Sequence, residues 1–171
     1  YNRRHYIHPD PLEIVLEYPH PGDQEIAGFI CSLFAIGRVE AIVDTVRTVC
    51  RLLGEPRRAL LESSESDLER LTVGFVYRFY RQEHLAGLLI ALSRILKKHD
   101  SLERLYMRNI SSHDPTCFTA LDGFVSEIYK AAPYVPKMIP VPSRGSSCKR
   151  LLLYLRWMVR KDLVDPGPWR E

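Results

Sequence analysis

An all-α fold follows from three features of this 171-residue chain. Apolar residues recur at i, i+3, i+4 and i+7 through most of its length, Gly and Pro punctuate those runs at helix ends, and period-two alternation is scarce. With 46% apolar content the chain can bury the core of one helical domain or of two lobes sharing a cleft.

Taken in order, the first strong helix runs from Asp23 to Gly37, with Ile26, Phe29, Ile30 and Leu33 on one face, Asp23 suited to the N-cap and Gly37 to the stop. The next carries Val39, Ile42, Val43, Val46, Val49, Cys50 and Leu53, ends at Gly54 and Pro56, and is expected to pair antiparallel with the first. Short helices are expected at Pro56 to Glu62 and at Ser66 to Leu71, where Ser66-Asp67-Leu68-Glu69 has the form of a capping box. The aromatic run Val73 to Tyr80 reads as a strand or as a helix start, and the helical reading is preferred. A long helix follows from Gln82 to His99, with Leu85, Leu88, Leu89, Leu92, Ile95 and Leu96 on one face. A short helix covers Asp100 to Asn109, and Asp114-Pro115, a cap with a proline at the first helical position, opens a segment towards Ala131. Four prolines from Pro133 to Pro142 forbid a helix and predict an extended connector. Strands are not needed to account for the pattern. The organisation expected is a single helical domain over 1–171, itself a fragment, with a helical bundle over about 1–132, a Pro-rich connector and hairpin over 133–145, and a basic helix and tail over 146–171.

Composition excludes several functional classes. No stretch approaches the roughly 18 apolar residues of a membrane span, and the chain opens at Tyr1 without an apolar signal segment, so a soluble cytoplasmic protein is expected, with an N-terminal piece preceding this one. Cys31, Cys50, Cys117 and Cys148 occur singly, as buried thiols of a reducing compartment do. No His, Cys and carboxylate spacing suits zinc or an iron-sulfur cluster, and no metal or cofactor is expected.

Charge is distributed unevenly. Between Glu127 and Asp162 lie eight cations, Lys130, Lys137, Arg144, Lys149, Arg150, Arg156, Arg160 and Lys161, and no acid, whereas the rest of the chain sums to minus five. From Ser146 to Lys161 the apolar positions Cys148, Leu151, Leu152, Leu155, Met158 and Val159 form a core face. Lys149, Arg156 and Arg160 line up on the neighbouring flank, with Arg150, Trp157 and Lys161 further round the exposed side. Cations are disfavoured near a helix N-terminus by up to about 1 kcal/mol, so Lys149 and Arg150 call for a bound anion. Gly145, Ser146 and Ser147, with their backbone N–H groups and two hydroxyls, suit a phosphate there. A lysine amine held among cations and partly desolvated also meets the condition for a nucleophile that forms a Schiff base. Three readings stand at this point: a solvated basic helix, a polyanion-binding surface, and a catalytic lysine.

His8-Pro9-Asp10-Pro11, Asp23-Gln24-Glu25-Ile26-Ala27, Phe34-Ala35-Ile36-Gly37-Arg38, Gly145-Ser146-Ser147-Cys148-Lys149-Arg150-Leu151, Leu155-Arg156-Trp157-Met158-Val159-Arg160 and Asp165-Pro166-Gly167-Pro168-Trp169 together resemble an uncharacterised bacterial protein family. That family is allied to the helix-hairpin-helix DNA glycosylase superfamily, nearest to the archaeal oxidised-guanine DNA glycosylase/lyases. The resemblance implies a helical fold of two lobes around a DNA cleft, DNA as partner, and base-excision chemistry. Lys149 would attack the sugar C1′ of a flipped nucleotide, and Gly145, Ser146, Ser147, Arg150, Arg156 and Arg160 would hold the phosphates. It also implies an acid in a Pro-Leu-Asp-Thr-His-like sequence, absent here and expected beyond Glu171. Asp165, in Val164-Asp165-Pro166, superficially resembles that acid, but a turn residue bonded to its own backbone is the preferred reading. The single Gly145 departs from the Gly-x-Gly of glycosylase hairpins. Arg38 is read as a surface cation. A non-catalytic nucleic-acid-binding module and a helical interaction protein with an acidic partner are the competing functions.

Overall fold

The computed structural model describes residues 3–4, 7–132 and 138–169. In chain order its elements are α1 (Leu12–Leu16), α2 (Pro21–Phe34), α3 (Val39–Leu53), α4 (Pro56–Glu62), α5 (Glu65–Leu71), β1 (Val76–Tyr77), β2 (Tyr80–Arg81), α6 (Gln82–His99), α7 (Leu102–Met107), α8 (Phe118–Ala131) and α9 (Lys149–Val159). The fold is mostly helical, and no described helix is long and apolar enough to cross a membrane. Two compact units divide the chain: one joins everything up to Arg57 with Lys149 onward, and the other runs from Arg58 to Cys148. Pro133–Lys137, half of the predicted connector and including the cation Lys137, lies outside the described residues.

In the first unit α2 is the central element, buried from Glu25 through Phe34 and in contact with α1, α3 and α9. Helix α9 lies close at Gly28, where the Met158 methyl takes the space a Cβ would need, 2.8 Å from it. Tyr154 fills the same seam, its ring 5.1 Å from Phe29 and 5.5 Å from Trp169, both edge-on. Beyond α9 the Asp165-to-Trp169 tail turns back on the helix end. Gly167 N donates to Trp157 O at 3.0 Å and Trp169 N to Met158 O at 3.1 Å, which satisfies carbonyls that the helix end leaves open. Gly167 has φ +50°, and a Cβ there would sit 2.8 Å from the Arg160 carbonyl oxygen, so this turn needs glycine. The Trp169 indole then donates to Glu25 Oε1 at 2.8 Å. Arg47 of α3 clamps α1 by donating to Glu13 at 2.7 Å and Glu17 at 2.5 Å.

In the second unit α6 packs against α5, α7 and α8, and its predicted face of Leu85, Leu88, Leu89, Leu92, Ile95 and Leu96 is buried. Ser93 Oγ donates to Leu60 O at 2.6 Å. Arg94 grips both carboxylate oxygens of Glu65, at 2.7 and 2.9 Å, and donates to Ala131 O. The α7–α8 junction closes through Asn109, whose amide donates to Leu105 O at 2.8 Å while its Oδ1 occupies the space a Cβ on Gly123 would need.

Several element readings are corrected. Val73 to Tyr80 is not a helix start: it contains β1 and the first residue of β2, an antiparallel hairpin with Tyr77 opposite Tyr80. Two-residue strands offer too few positions for alternation to register in sequence. Helix α2 starts at Pro21 after His20 and ends at Phe34, and Asp23, inside its first turn, accepts Arg57 N at 2.8 Å near the start of α4 instead of capping its own helix. The capping box of α5 uses Ser64 and Asp67, not Ser66. Helix α8 opens at Phe118, four residues after Asp114. Helix α9 runs from Lys149 to Val159, shorter than Ser146 to Lys161 at both ends. Its buried face is Leu151, Tyr154, Trp157 and Met158, while Val159 is 64% exposed. Trp157, assigned to the exposed side, is in the core because the returning tail covers that flank.

Candidate functional site

The chain approaches α9 through a short 3-10 turn, Pro142–Arg144, closed by Gly145 at φ +77° with its N–H on Pro142 O at 2.9 Å. Asp122 of α8 accepts Ser143 N at 2.9 Å and anchors the turn. Ser146 Oγ accepts the N–H of Cys148 at 3.1 Å. Cys148 is buried with φ +51°, a backbone shape that costs a non-glycine residue of order 1 kcal/mol or more. Gly145, Ser146 and Ser147 line a cavity of about 870 Å³ in the second unit with Asn109, Phe118, Thr119 and Asp122. The predicted phosphate hydroxyls therefore stand beside a carboxylate as well as beside one another.

The cations of α9 belong to the first unit and have unequal surroundings. Lys149 is the first residue of the helix, is exposed, and makes no ion pair among the described residues. The N–H groups of the first turn have no intrahelical acceptor at any helix start, so this lysine stands at a positive pole. Arg150 is half-buried and donates through Nη1 to the carbonyl of Leu33 in the last turn of α2. It acts as a cap on the negative end of that helix. Arg156 Nε donates to Asp165 Oδ2 at 3.0 Å, and Arg160 Nε lies 2.5 Å from Asp162 and 3.4 Å from Asp165. Both arginine side chains remain half exposed. The predicted stripe is one free lysine followed by two arginines already sharing acids.

Asp165 corrects the turn-residue reading. Its side chain is fully buried and takes the two arginines, whereas the turn's own N–H groups, those of Val164 and Asp165, are accepted by Asp162 Oδ1 at 2.7 and 2.9 Å. It is also distant from Lys149. Arg156 is seven residues along α9, about 10 Å of helix rise, and Asp165 is bound at that far end. The second oxygen of Asp165, Oδ1, is buried with no hydrogen-bond partner among the described residues. Asp165→Asn should therefore cost roughly 1–3 kcal/mol, since a buried acceptor loses its charged partners while the half-exposed arginines turn to water. A shift of the urea midpoint checks this.

Sequence reasoning did not find Asp10. It lies at the start of α1, where its Oδ1 accepts Leu12 N at 2.8 Å, and it feels the charges of Arg156 and Asp165. Burial raises its carboxyl above the ordinary aspartate range, against the Leu12 hydrogen bond and Arg156. A raised carboxyl pKa means that the folded state binds the proton more tightly than the unfolded chain, so ionisation removes stability as pH rises above the unfolded value of 3.8. Asp10→Asn, which keeps an acceptor for Leu12, is expected to be more stable than wild type at neutral pH. That advantage should shrink as pH falls towards 3.8. Denaturant melts at stepped pH would show it, and a pH-independent difference would contradict it. His8-Pro9-Asp10-Pro11 gives no periodic signal for such a role, because the charges that act on Asp10 come from residues far along the chain.

Residues 10–171 match the model of a family described as a protein of unknown function, DUF2400. No curated protein matches the chain, and no solved structure does.

Proposed function

Since the chain belongs to this family of unknown function, DUF2400, we propose from its residues that it is a DNA-binding protein of the glycosylase/lyase type, with a helix-hairpin-helix, glycosylase-like fold and a cytoplasmic place of action. The observation that carries this reading is Lys149, an exposed amine at the first position of α9 with no ion pair among the described residues. An anion there would neutralise a cation placed at the positive end of the helix dipole. The amine is also free to add to a sugar C1′. In that step a C–N bond forms, the damaged base leaves with the glycosidic electron pair, and loss of the amine proton with ring opening gives an imine from which β-elimination follows. Arg156 and Arg160, half exposed, would add phosphate contacts.

A second reading, a non-catalytic nucleic-acid-binding module, is favoured by the position of Asp165. The acid nearest in sequence character to a catalytic one is committed to two arginines at the far end of α9. Borohydride trapping of the full-length chain on abasic and oxidised-guanine duplexes separates the two readings, since only a Schiff base is reduced to a stable adduct. DNA affinity that falls steeply with salt supports both. Affinity without a salt slope sinks both and leaves an acidic protein as the partner of the basic face.

A further inference from the structure

The hairpin of the second unit breaks two local rules at one point. With Val76 opposite Arg81 and Tyr77 opposite Tyr80, Arg78 and Phe79 form a two-residue loop of the kind that favours Asn and Gly, because it needs positive φ. Arg78 adopts φ +54° in their place. Phe79 is 58% exposed, with Val76 at 62% and Val73 at 71% on the same segment, although a large ring ordinarily gains by burial.

The tip is nevertheless firmly built. Tyr77 and Tyr80 are buried beneath it, and the Phe79 ring packs edge-on against Tyr80 with centroids 4.5 Å apart. Arg81 staples the turn from within, its Nη1 donating to Arg78 O at 2.7 Å and Tyr80 O at 3.1 Å, while its N–H donates to His84 Nδ1 at 2.8 Å. Gln82 Oε1 accepts Gly74 N at 3.0 Å and ties down the other arm. Arg78 has no ion pair among the described residues, whereas Arg70 is held by Asp67. A braced tip therefore presents one exposed aromatic ring beside one uncommitted guanidinium.

We propose that the Arg78–Phe79 tip is a stacking platform for an unpaired base of a nucleic acid, with Phe79 against the base and Arg78 on the adjoining phosphate. Every base has a π-face, so a single ring serves without sequence readout, and a guanidinium suits phosphate geometry. A tip that is already ordered loses little freedom on binding. Charge favours this occupant over an apolar one, since the hairpin and the residues after it, 76–84, carry Arg78 and Arg81 against one acid, Glu83. The inference rests on the functional reading above only for the class of partner, and uses none of its residues.

The test is fluorescence anisotropy and 2-aminopurine quenching with a single-stranded oligonucleotide, a duplex carrying one bulged 2-aminopurine, and the fully paired duplex. Phe79→Ala should weaken the first two by about 5- to 100-fold, abolish the quenching, and leave the paired duplex within about twofold. Phe79→Trp should restore both. Arg78→Gly, which suits the positive φ and so keeps the hairpin, should lower the salt slope for single strands by about one. The proposal is overturned if Phe79→Ala binds and quenches like wild type, or if Phe79→Trp fluorescence shifts with anionic vesicles and not with the oligonucleotides. Failure here alongside a Lys149 adduct removes only the platform. Loss of binding in Phe79→Ala with unchanged binding and no adduct dependence in Lys149→Ala removes only the α9 reading. Absence of any nucleic-acid binding by wild type removes both.

Discussion

On the proposed lyase reading, Lys149→Ala is expected to cut a borohydride-trapped adduct on abasic DNA by on the order of a hundredfold or more, because the variant lacks the proposed nucleophile. The fold should not suffer. Lys149 is exposed at the first position of α9 and makes no ion pair among the described residues. Alanine is the better helix former, and loss of a cation from the positive end of the dipole favours the helix by a few tenths of a kcal/mol. An unchanged or slightly raised melting temperature therefore accompanies the lost chemistry. Lys149→Arg separates binding from reaction: it keeps the charge but not the nucleophile, so DNA affinity should stay within about twofold of wild type while the adduct falls as in the alanine variant. Persistence of the adduct in either variant would give the chemistry to another amine and end the assignment.

Tyr154→Ala should cost the first unit about 3–5 kcal/mol, the range for truncating a large aromatic in a packed core. Tyr154 has no exposed surface. Its ring meets Phe29 of α2 on one side and Trp169 of the returning tail on the other, so its loss opens a cavity at the seam and undocks the tail as well. Met158 already fills the space beside Gly28 in the same seam. The chain's two tryptophans, Trp157 and Trp169, both belong to this unit, so their fluorescence reports its unfolding directly. A urea midpoint shift equivalent to less than about 1 kcal/mol at unchanged m would mean that Tyr154 does not hold the seam.

Long periodic helices were legible from local pattern. α6 has the predicted limits, Gln82–His99, and α3 ends at the predicted Gly54, because fifteen or more residues of one period outweigh any single exception. Short elements were not. The hairpin at Val76–Arg81 has two residues per strand, and its turn uses Arg-Phe where Asn-Gly would have announced it. The face of α9 was misjudged for a different reason: Val159 and Trp157 have similar claims to burial by composition, and the tail that covers Trp157 is brought there by backbone bonds from Gly167 and Trp169.

The same division holds for the candidate site. The local excess of cations, with Lys149 in the first turn of a helix, is a property of the sequence alone, whereas the start at Lys149 in place of Ser146 is not. Which of those cations stay free was decided by tertiary structure. Arg150 reaches the end of α2, and Arg156 and Arg160 reach a buried Asp165 beyond the helix. Ion pairs and caps depend on positions in space that residues far apart in the chain come to share, and no local pattern encodes them. Sequence by itself determined a helical protein with a basic helix near the end of the chain. Along the Lys149, Arg156 and Arg160 stripe the fold left the lysine without an ion pair among the described residues and the two arginines sharing acids, and it raised an aromatic hairpin tip that the sequence did not announce.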